Sequence, residues 1–494
     1  MPESLHDQID RERKAANPDV ENIAVYRRYS EGDQDGALTA DQKLLIGAAA
    51  KHSYADNVCD MILAAWSSRL VLTGWHVEDQ AVRDFLDDLY VRNQLADLSY
   101  QINYATGRDG NHAVMLRWLP DDRASLPADP TDETAELPVT RSPGRVTVHP
   151  EPWWDGKTGI WVAYDDRGRP AYAVKDFEVV IDQPLGPPAK RKRRTVYFPD
   201  RIERYIEEGA GWRPYPLPGE PENAVVEWTK RGGSPLGIPV IHYAFRRFGR
   251  QRYGVSDLAG GVIANQDHIN AIQQDIAAAA KLLGFQILTA TGVDFERAPK
   301  LEPGTLLYTK KDAARFGAIP AGDISQLTQA LETKLQTVAR ISSTPIHVIK
   351  GGDWPAGIAL VQADKPAIIK AVKEAASMGP SHATLAHRST EMANAFGNAG
   401  LNEDDLIVTR FADPEQLDQL AQAEVAKAKA EAQAALEMLE DEESLVAVGL
   451  TLEEARKRIA QRQANREARE AALERRFNAG LSRPAGRDDE EGAA

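Results

Sequence analysis

Apolar and polar positions along this chain follow first a helical period, then a strand period, then a helical one again, and the changes of period divide it. From Asp41 to about Leu72, the apolar residues Leu44, Leu45, Ala48, Ala55, Val58, Ile62 and Ala65 recur at helical spacing and predict one buried helical face. A second helical pattern runs from about Glu78 to Tyr104 through Val82, Phe85, Leu89, Leu95 and Leu98. Gly107 to Gly110 then reads as a turn, and His112 to Trp118 as a strand. Residues 120 to 144 are rich in Pro, Asp, Thr and Ser and predict an exposed excursion. Between Arg145 and Phe245 come the short runs RVTVHP, GIWVAY, PAYAVK, FEVVI, RTVYF, RIERYI and PVIHYAF, which predict a mixed, mostly antiparallel β region. The insert from Pro184 ends in the basic run Lys190, Arg191, Lys192, Arg193 and Arg194, expected as a solvated hairpin tip, with nucleic-acid binding as the second reading.

After Gly254 the helical period returns. Leu258, Val262, Ile269, Ile272, Ile276, Ala280 and Leu283 mark one face of a helix about 39 Å long. Its flanks, Asn265, Gln266, Asp267, His268, Gln273 and Gln274, are expected to pack against identical copies. Two strand candidates follow, FQILT and TLLYT, with Arg297, Lys300, Lys310, Lys311 and Arg315 scattered among them. A second helix is expected from an Asp323 N-cap with Gln326 closing a capping box, carrying Ile324, Leu327, Leu331, Leu335, Val338 and Ile341 as its stripe. The two helices read as antiparallel partners. IKGGDWPAG, residues 349 to 357, predicts a mobile loop, and helix resumes through Ile358, Val361, Ile368, Ile369, Val372 and Ala376 with a kink or restart at Pro366. Asp413, Pro414 and Gln416 open an Ala/Glu/Lys-rich helix to about Val448, a further helix ends near Phe477, and the final residues are expected to be disordered. The fold class expected is α+β and helix-rich.

Composition narrows the function more than the fold. At 494 residues, the chain is long enough for two or more packed regions. A net charge of -15 argues against a broadly basic nucleic-acid grip, yet an acidic wall with few cations suits DNA that slides past rather than sticks. No run approaches the roughly 20 apolar residues of a membrane span, and the polar start MPESLHDQIDRERK lacks a signal core, so a cytoplasm-like compartment is expected. Cys59 is the sole cysteine and reads as a small buried apolar residue. The sequence carries no P-loop, dinucleotide fingerprint, HExxH, GxSxG or paired zinc ligands, so no catalysis, cofactor or metal is expected. His382 and His387 are spaced so that they do not share a helix face, and Trp153-Trp154 is expected as packing rather than a stacking platform.

Four strings, in this order, resemble portal proteins of tailed bacteriophages, particularly those of phages of actinobacteria. They are RTVYFPDRIERY from Arg194 with PLGIPVIHYAFRRF from Pro235, RYGVSDLAGGVIANQDHINAIQQDIAAAAKLLG over 252 to 284, VARISSTPIHVIKGG from Val338, and AGIALVQADKPAIIKAVKEA from Ala356. The resemblance spans about residues 40 to 400. It implies a ring, usually of twelve subunits, at one capsid vertex, whose channel passes double-stranded DNA during packaging and ejection. On this chain it implies an N-terminal arm (1–40), an α+β wing (41–254), a stem helix (255–283), a clip (284–322), a second stem helix (323–342), a tunnel loop (343–360), a wing/tunnel helix and strand (361–411), a helical crown (412–478) and a disordered tail (479–494). Stem packing falls to Ile269, Ile272, Ile276, Leu327, Leu331 and Leu335. Channel contact falls to Lys350, Gly351, Gly352, Asp353 and Trp354, with Lys350 the candidate for phosphate. Clip contacts with partners or DNA fall to Arg297, Lys300, Lys310, Lys311 and Arg315. The implied partners are further copies of the chain, double-stranded DNA, the terminase large subunit, a head-tail adaptor, the major capsid protein and the scaffold, without a membrane. The location implied is the virion, after assembly in the host cytoplasm. Another virion structural protein, such as a scaffold or minor head protein, is the alternative reading; a nucleic-acid-processing enzyme is a more remote one.

Overall fold

Period-two patterning dominates the middle of the chain, and in a computed structural model that region is sheet, flanked by helices on both sides in sequence. The structure describes residues 4–17, 20–34, 56–122, 139–181, 189–209, 211–247, 251–283, 287–291, 315–319, 324–351, 358–414 and 456–457. The chain divides into two compact units, Met1–Leu417 and Asp418–Ala494, and the description below concerns the first. The crown and tail expectations, beyond Asp413 and Pro414, lie outside the described residues apart from a helical pair at Arg456 and Lys457.

Two antiparallel sheets form the body. Strand β2 (Asn111–Pro120) is central between β3 (Gly144–Glu151) and β10 (Val240–Ala244). The larger sheet runs in the order β4 (Gly159–Tyr164), β5 (Pro170–Ile181), β6 (Ala189–Tyr197), β7 (Arg201–Glu208) and β8 (Gly211–Pro214), with β9 (Val225–Glu227) also paired to β7. PAYAVK and FEVVI, expected as two strands, are the single strand β5, because Lys175 and Asp176 between them find partners inside the fold. A short ladder, β1 (Leu72–His76) with β13 (Val408–Phe411), joins distant parts of the unit. Trp153 and Trp154 are fully buried, Trp153 stacking on His242 at 4.6 Å between ring centres.

The N-terminal helix α1 (Leu5–Ala16) is capped by Ser4, whose hydroxyl accepts from the Asp7 N–H at 3.2 Å. It lies on the larger sheet through charges. Asp176 and Arg194 face each other in register across β5 and β6, and Asp176 accepts from Arg194 at 2.8 Å and from Arg13 of α1 at 2.6 Å. Asp10 takes a second Arg194 nitrogen at 2.9 Å, and the Arg13 guanidinium stacks 4.1 Å above the Trp154 ring. The basic run is therefore no hairpin tip: it lies in strand β6, and Arg194 is 2% exposed. Arg193 is buried as well and packs on Tyr215, so those two cations are spent inside the chain.

The helices differ from expectation at their ends. Helix α2 (Val20–Ser30) is followed, after residues 35–55 outside the described set, by α3 (Val58–Ser67), so Leu44, Leu45, Ala48 and Ala55 go untested and Leu72 begins a strand rather than ending a helix. The pattern from Glu78 to Tyr104 is two helices, α4 (Gln80–Arg92) and α5 (Leu95–Asp109), broken where Gln94 adopts a left-handed conformation at φ 50°. Gly107 is not a turn but the helical residue that lets α5 pass Trp66: a Cβ there would stand 2.5 Å from that ring. Gly110, at φ 79°, ends the helix. Asp176→Ala leaves two buried guanidinium groups short of a carboxylate and is expected to cost about 3–5 kcal/mol in urea unfolding. A loss below about 1 kcal/mol would mean that the charges do not hold α1 to the sheet.

Candidate assembly site

The C-terminal half of the described unit holds an antiparallel helix pair with a hairpin between its members. Helix α6 (Val262–Leu283), 22 residues and so about 33 Å long, leads into the antiparallel pair β11 (Ile287–Thr291) and β12 (Arg315–Ile319). Helix α7 (Ser325–Ser342) returns from it and packs on α6, so the two run antiparallel. The strand paired with β11 is RFGAI; TLLYT lies outside the described residues together with Arg297, Lys300, Lys310 and Lys311, and Arg315 is exposed, in register with Thr291. Helix α7 begins at Ser325 with Ile324 in the N-cap position and no side-chain cap; Asp323, the expected N-cap, lies outside the described residues.

The base of this helix pair is fixed firmly. Val262, Ile269, Leu335, Val338 and Ala339 are buried with Cys59, Ile62 and Leu63 of α3, and burial pushes the Cys59 thiol up to about 12. The polar residues of α6 are buried here too. Gln266 donates to the Asp56 carbonyl at 2.7 Å and accepts from the Val58 N–H at 3.1 Å, while Asn270 donates to Gln34 at 2.7 Å. Gln266 and Gln274 thus face their own chain, against the expectation that these flanks pack on other copies, and Asn270 beside them is buried in the same way. Farther out the cover thins. Ile272, Ile276, Leu327 and Leu331 are only half-buried, whereas Ile269 and Leu335 are in the core. The six expected packing residues therefore divide into a buried pair at the base and four with apolar surface left over.

At the end of α7, Ser343 turns left-handed at φ 54° and Pro345 precedes α8 (Ile346–Lys350). Ile349 and Lys350 are thus helical, not part of a loop, and Lys350 pairs with Glu332 of α7 at 2.9 Å. Gly351 ends α8 at φ 62°; Gly352, Asp353 and Trp354 lie outside the described residues. Helix α9 (Ile358–Met392) then runs without interruption through Pro366 and Pro380, so no restart occurs at Pro366. Its buried side consists of Ala367, Ile368, Ala371 and Met378, while Ile369 and Val372, expected on the same stripe, are each 52% exposed. His382 on this helix is buried beside Tyr243, 3.0 Å from its hydroxyl, and is held neutral by burial with its pKa pushed down to about 3.

A cleft of about 440 Å³ opens between the end of α7, the segment after β10 and α9. Lys370 is its keystone: its ammonium donates to Asp257 at 2.5 Å and to the Ser342 carbonyl at 2.9 Å, tying all three segments together. Arg246, Arg247 and Lys373 stand exposed at the rim. Sequence reasoning missed this cleft, since Asp257 and Lys370 are 113 residues apart and neither belongs to a motif. Glu374 is 6% exposed at its floor, one carboxyl oxygen without a partner, and burial with the nearby Asp257 charge raises its pKa to about 7 despite the Arg246 N–H and Lys370. Among the described residues no three His, Cys, Asp or Glu side chains come together to hold a metal ion, and no helix is long and apolar enough to cross a membrane.

No family model matches the sequence, and no curated protein matches it. Among solved structures, the chain is similar to one from the neck of a native GTA particle computed with C12 symmetry, at 14% identity and a TM-score of 0.39, over 80% of this chain and 89% of that one. It is also similar to one from the virion of a native gene transfer agent particle, at 14% identity and a TM-score of 0.34, over 84% of this chain and 94% of that one.

Glu374 gives a pH test of the cleft. Its folded pKa is raised above the ordinary 4.5, so the native state holds a proton that the unfolded state releases, and stability falls as pH rises from 4.5 through 7. Glu374→Gln is expected to remove up to roughly 3 kcal/mol of that decline, making the variant more stable than wild type at pH 8 and nearly equal to it at pH 4.5. Parallel stability curves for the two proteins between those values would show that Glu374 is solvated rather than buried.

Proposed function

We propose that this chain is a structural component of a virion and, within that class, the portal subunit of a tailed bacteriophage. In this reading the chain forms a ring at one capsid vertex, double-stranded DNA passes through the central channel, and no reaction is catalysed. The observation that carries the reading is the order of elements: an α+β body, a helix, a two-stranded hairpin, a returning helix and then a long helix, in the order of the four strings that resemble portals. The helix pair supports it physically. A pair of amphipathic helices fastened to the body at its base, with half-buried Ile272, Ile276, Leu327 and Leu331 farther out, would be completed by the same pair from neighbours around a ring.

In the ring the α6–α7 pair is the stem around the channel, and the β11–β12 hairpin with the residues between its strands is the clip that meets the terminase and later the adaptor. The segment after α7 is the tunnel loop, and the part beyond residue 412 is the crown. Capsid protein and scaffold surround the body. Lys350 remains the candidate phosphate contact. Its pair with Glu332 is exposed, a kind of contact worth about 0–1 kcal/mol, so exchanging the carboxylate for a passing phosphate costs little.

Negative-stain electron microscopy of the purified chain is expected to show closed rings with a central hole of roughly 20 Å or more, wide enough for duplex DNA. Monomers or open fibres across salt conditions would favour the scaffold or minor-head-protein reading instead. Lys350→Ala is expected to leave the rings intact while lowering DNA retention or translocation. Unchanged packaging in that variant would remove Lys350 from the mechanism.

A further inference from the structure

Two exposed helical stripes on this chain have complementary chemistry. On α9, Lys365, Ile369, Val372 and Lys373 fall at helical spacing on the solvent side, with Ile369 and Val372 each 52% exposed. On α4, Asp84, Asp87, Asp88 and Val91 fall at i, i+3, i+4 and i+7, all exposed, with Val91 at 72%. The lengths match as well: about 12 Å from Lys365 to Lys373 and about 10.5 Å from Asp84 to Val91 at 1.5 Å per residue. Asp88 already pairs with Arg92 of its own helix at 2.6 Å, but both side chains are more than half exposed and free to exchange partners. Among the described residues, Asp84 accepts from Gln80, one turn earlier on the same helix.

We propose that the α9 stripe of one copy docks on the α4 stripe of the next. The two isoleucine and valine side chains of α9 then cover Val91, and the lysines close on Asp84 and Asp87 at the edge. The contact is heterologous, one patch against a different patch, which is the kind that propagates around a closed ring. Charge complementarity selects the occupant: the cationic stripe adjoins Arg247 at the cleft rim, and α4 presents three carboxylates in two turns of a chain whose net charge is -15. This inference rests on the ring reading and names the surface through which the ring would close.

The test uses the full chain and two charge-reversed variants, Lys365→Glu with Lys373→Glu, and Asp84→Lys with Asp87→Lys. Assembly is read by analytical ultracentrifugation at the concentration where wild type is half assembled. Each variant alone is expected to lose at least tenfold in its assembled fraction, because each then carries like charges on both stripes. An equimolar mixture is expected to assemble again, with the two variants in equal amounts, since the reversed α9 stripe of one variant then meets the reversed α4 stripe of the other and the two natural stripes meet each other, opposite in sign at both contacts. The fourfold variant, with both stripes reversed in one chain, should also assemble by itself, which separates loss of docking from loss of folding. If wild type forms rings and either double variant does so equally well, or the mixture and the fourfold variant stay dispersed, the docking surface is wrong and the ring reading stands. Wild type that stays monomeric at every concentration would overturn both.

Discussion

The α6–α7 pair is fastened to the body at its base, and what the molecule can do with that pair depends on this seam. Apolar contact and amide hydrogen bonds act together there. Ile269, Leu335 and Val338 bury against Ile62 and Leu63 of α3, while Gln266 and Asn270 reach Asp56, Val58 and Gln34. Leaving one of those buried amides without its partner would cost about 1–3 kcal/mol, so the helix cannot rotate or slide about the seam without losing several bonds together. A rigid base with thinner cover farther out leaves apolar surface that the proposed ring would cover.

Lys370 plays the corresponding part on the other side. It joins α9 to the end of α7 and to the segment after β10, so the long helix, the helix pair and the sheet body move as one piece where they meet. The α1 helix is tied to the large sheet by a similar device, a carboxylate shared by two buried arginines. In both places charge is used for register rather than for solubility, because a buried ion pair broken by sliding leaves an uncompensated charge.

The strands were legible in the sequence because their pattern is local. GIWVAY is β4 to the residue, since alternating or fully buried short runs bounded by Gly and Asp leave little choice of element. Two of the failures depend on partners distant in the chain. Arg194 reads as part of a basic tip, and only Asp10, 184 residues away, and Asp176 across the ladder make it a core residue. Gln266 reads as a surface for other copies because Asp56, whose carbonyl accepts from it, lies 210 residues earlier. On α9 the pattern favoured Ile369 and Val372 as core, yet the helix turns Ala367 and Ala371 inward, where small side chains allow close approach, and leaves two large apolar residues outside. Of the candidate site, the order of helix, hairpin and helix was legible; the cleft at Lys370 was not.

The central claim is that the outer half of the helix pair is completed by neighbouring copies, and hydrogen exchange followed as a function of protein concentration tests it most directly. Amides around Ile272 to Ile276 and Leu327 to Leu331 should exchange rapidly in dilute protein and become protected as assembly proceeds, while those around Ile269 and Leu335 stay protected throughout. Equal protection of both halves at every concentration would contradict the account, because the pair would then be complete within one chain.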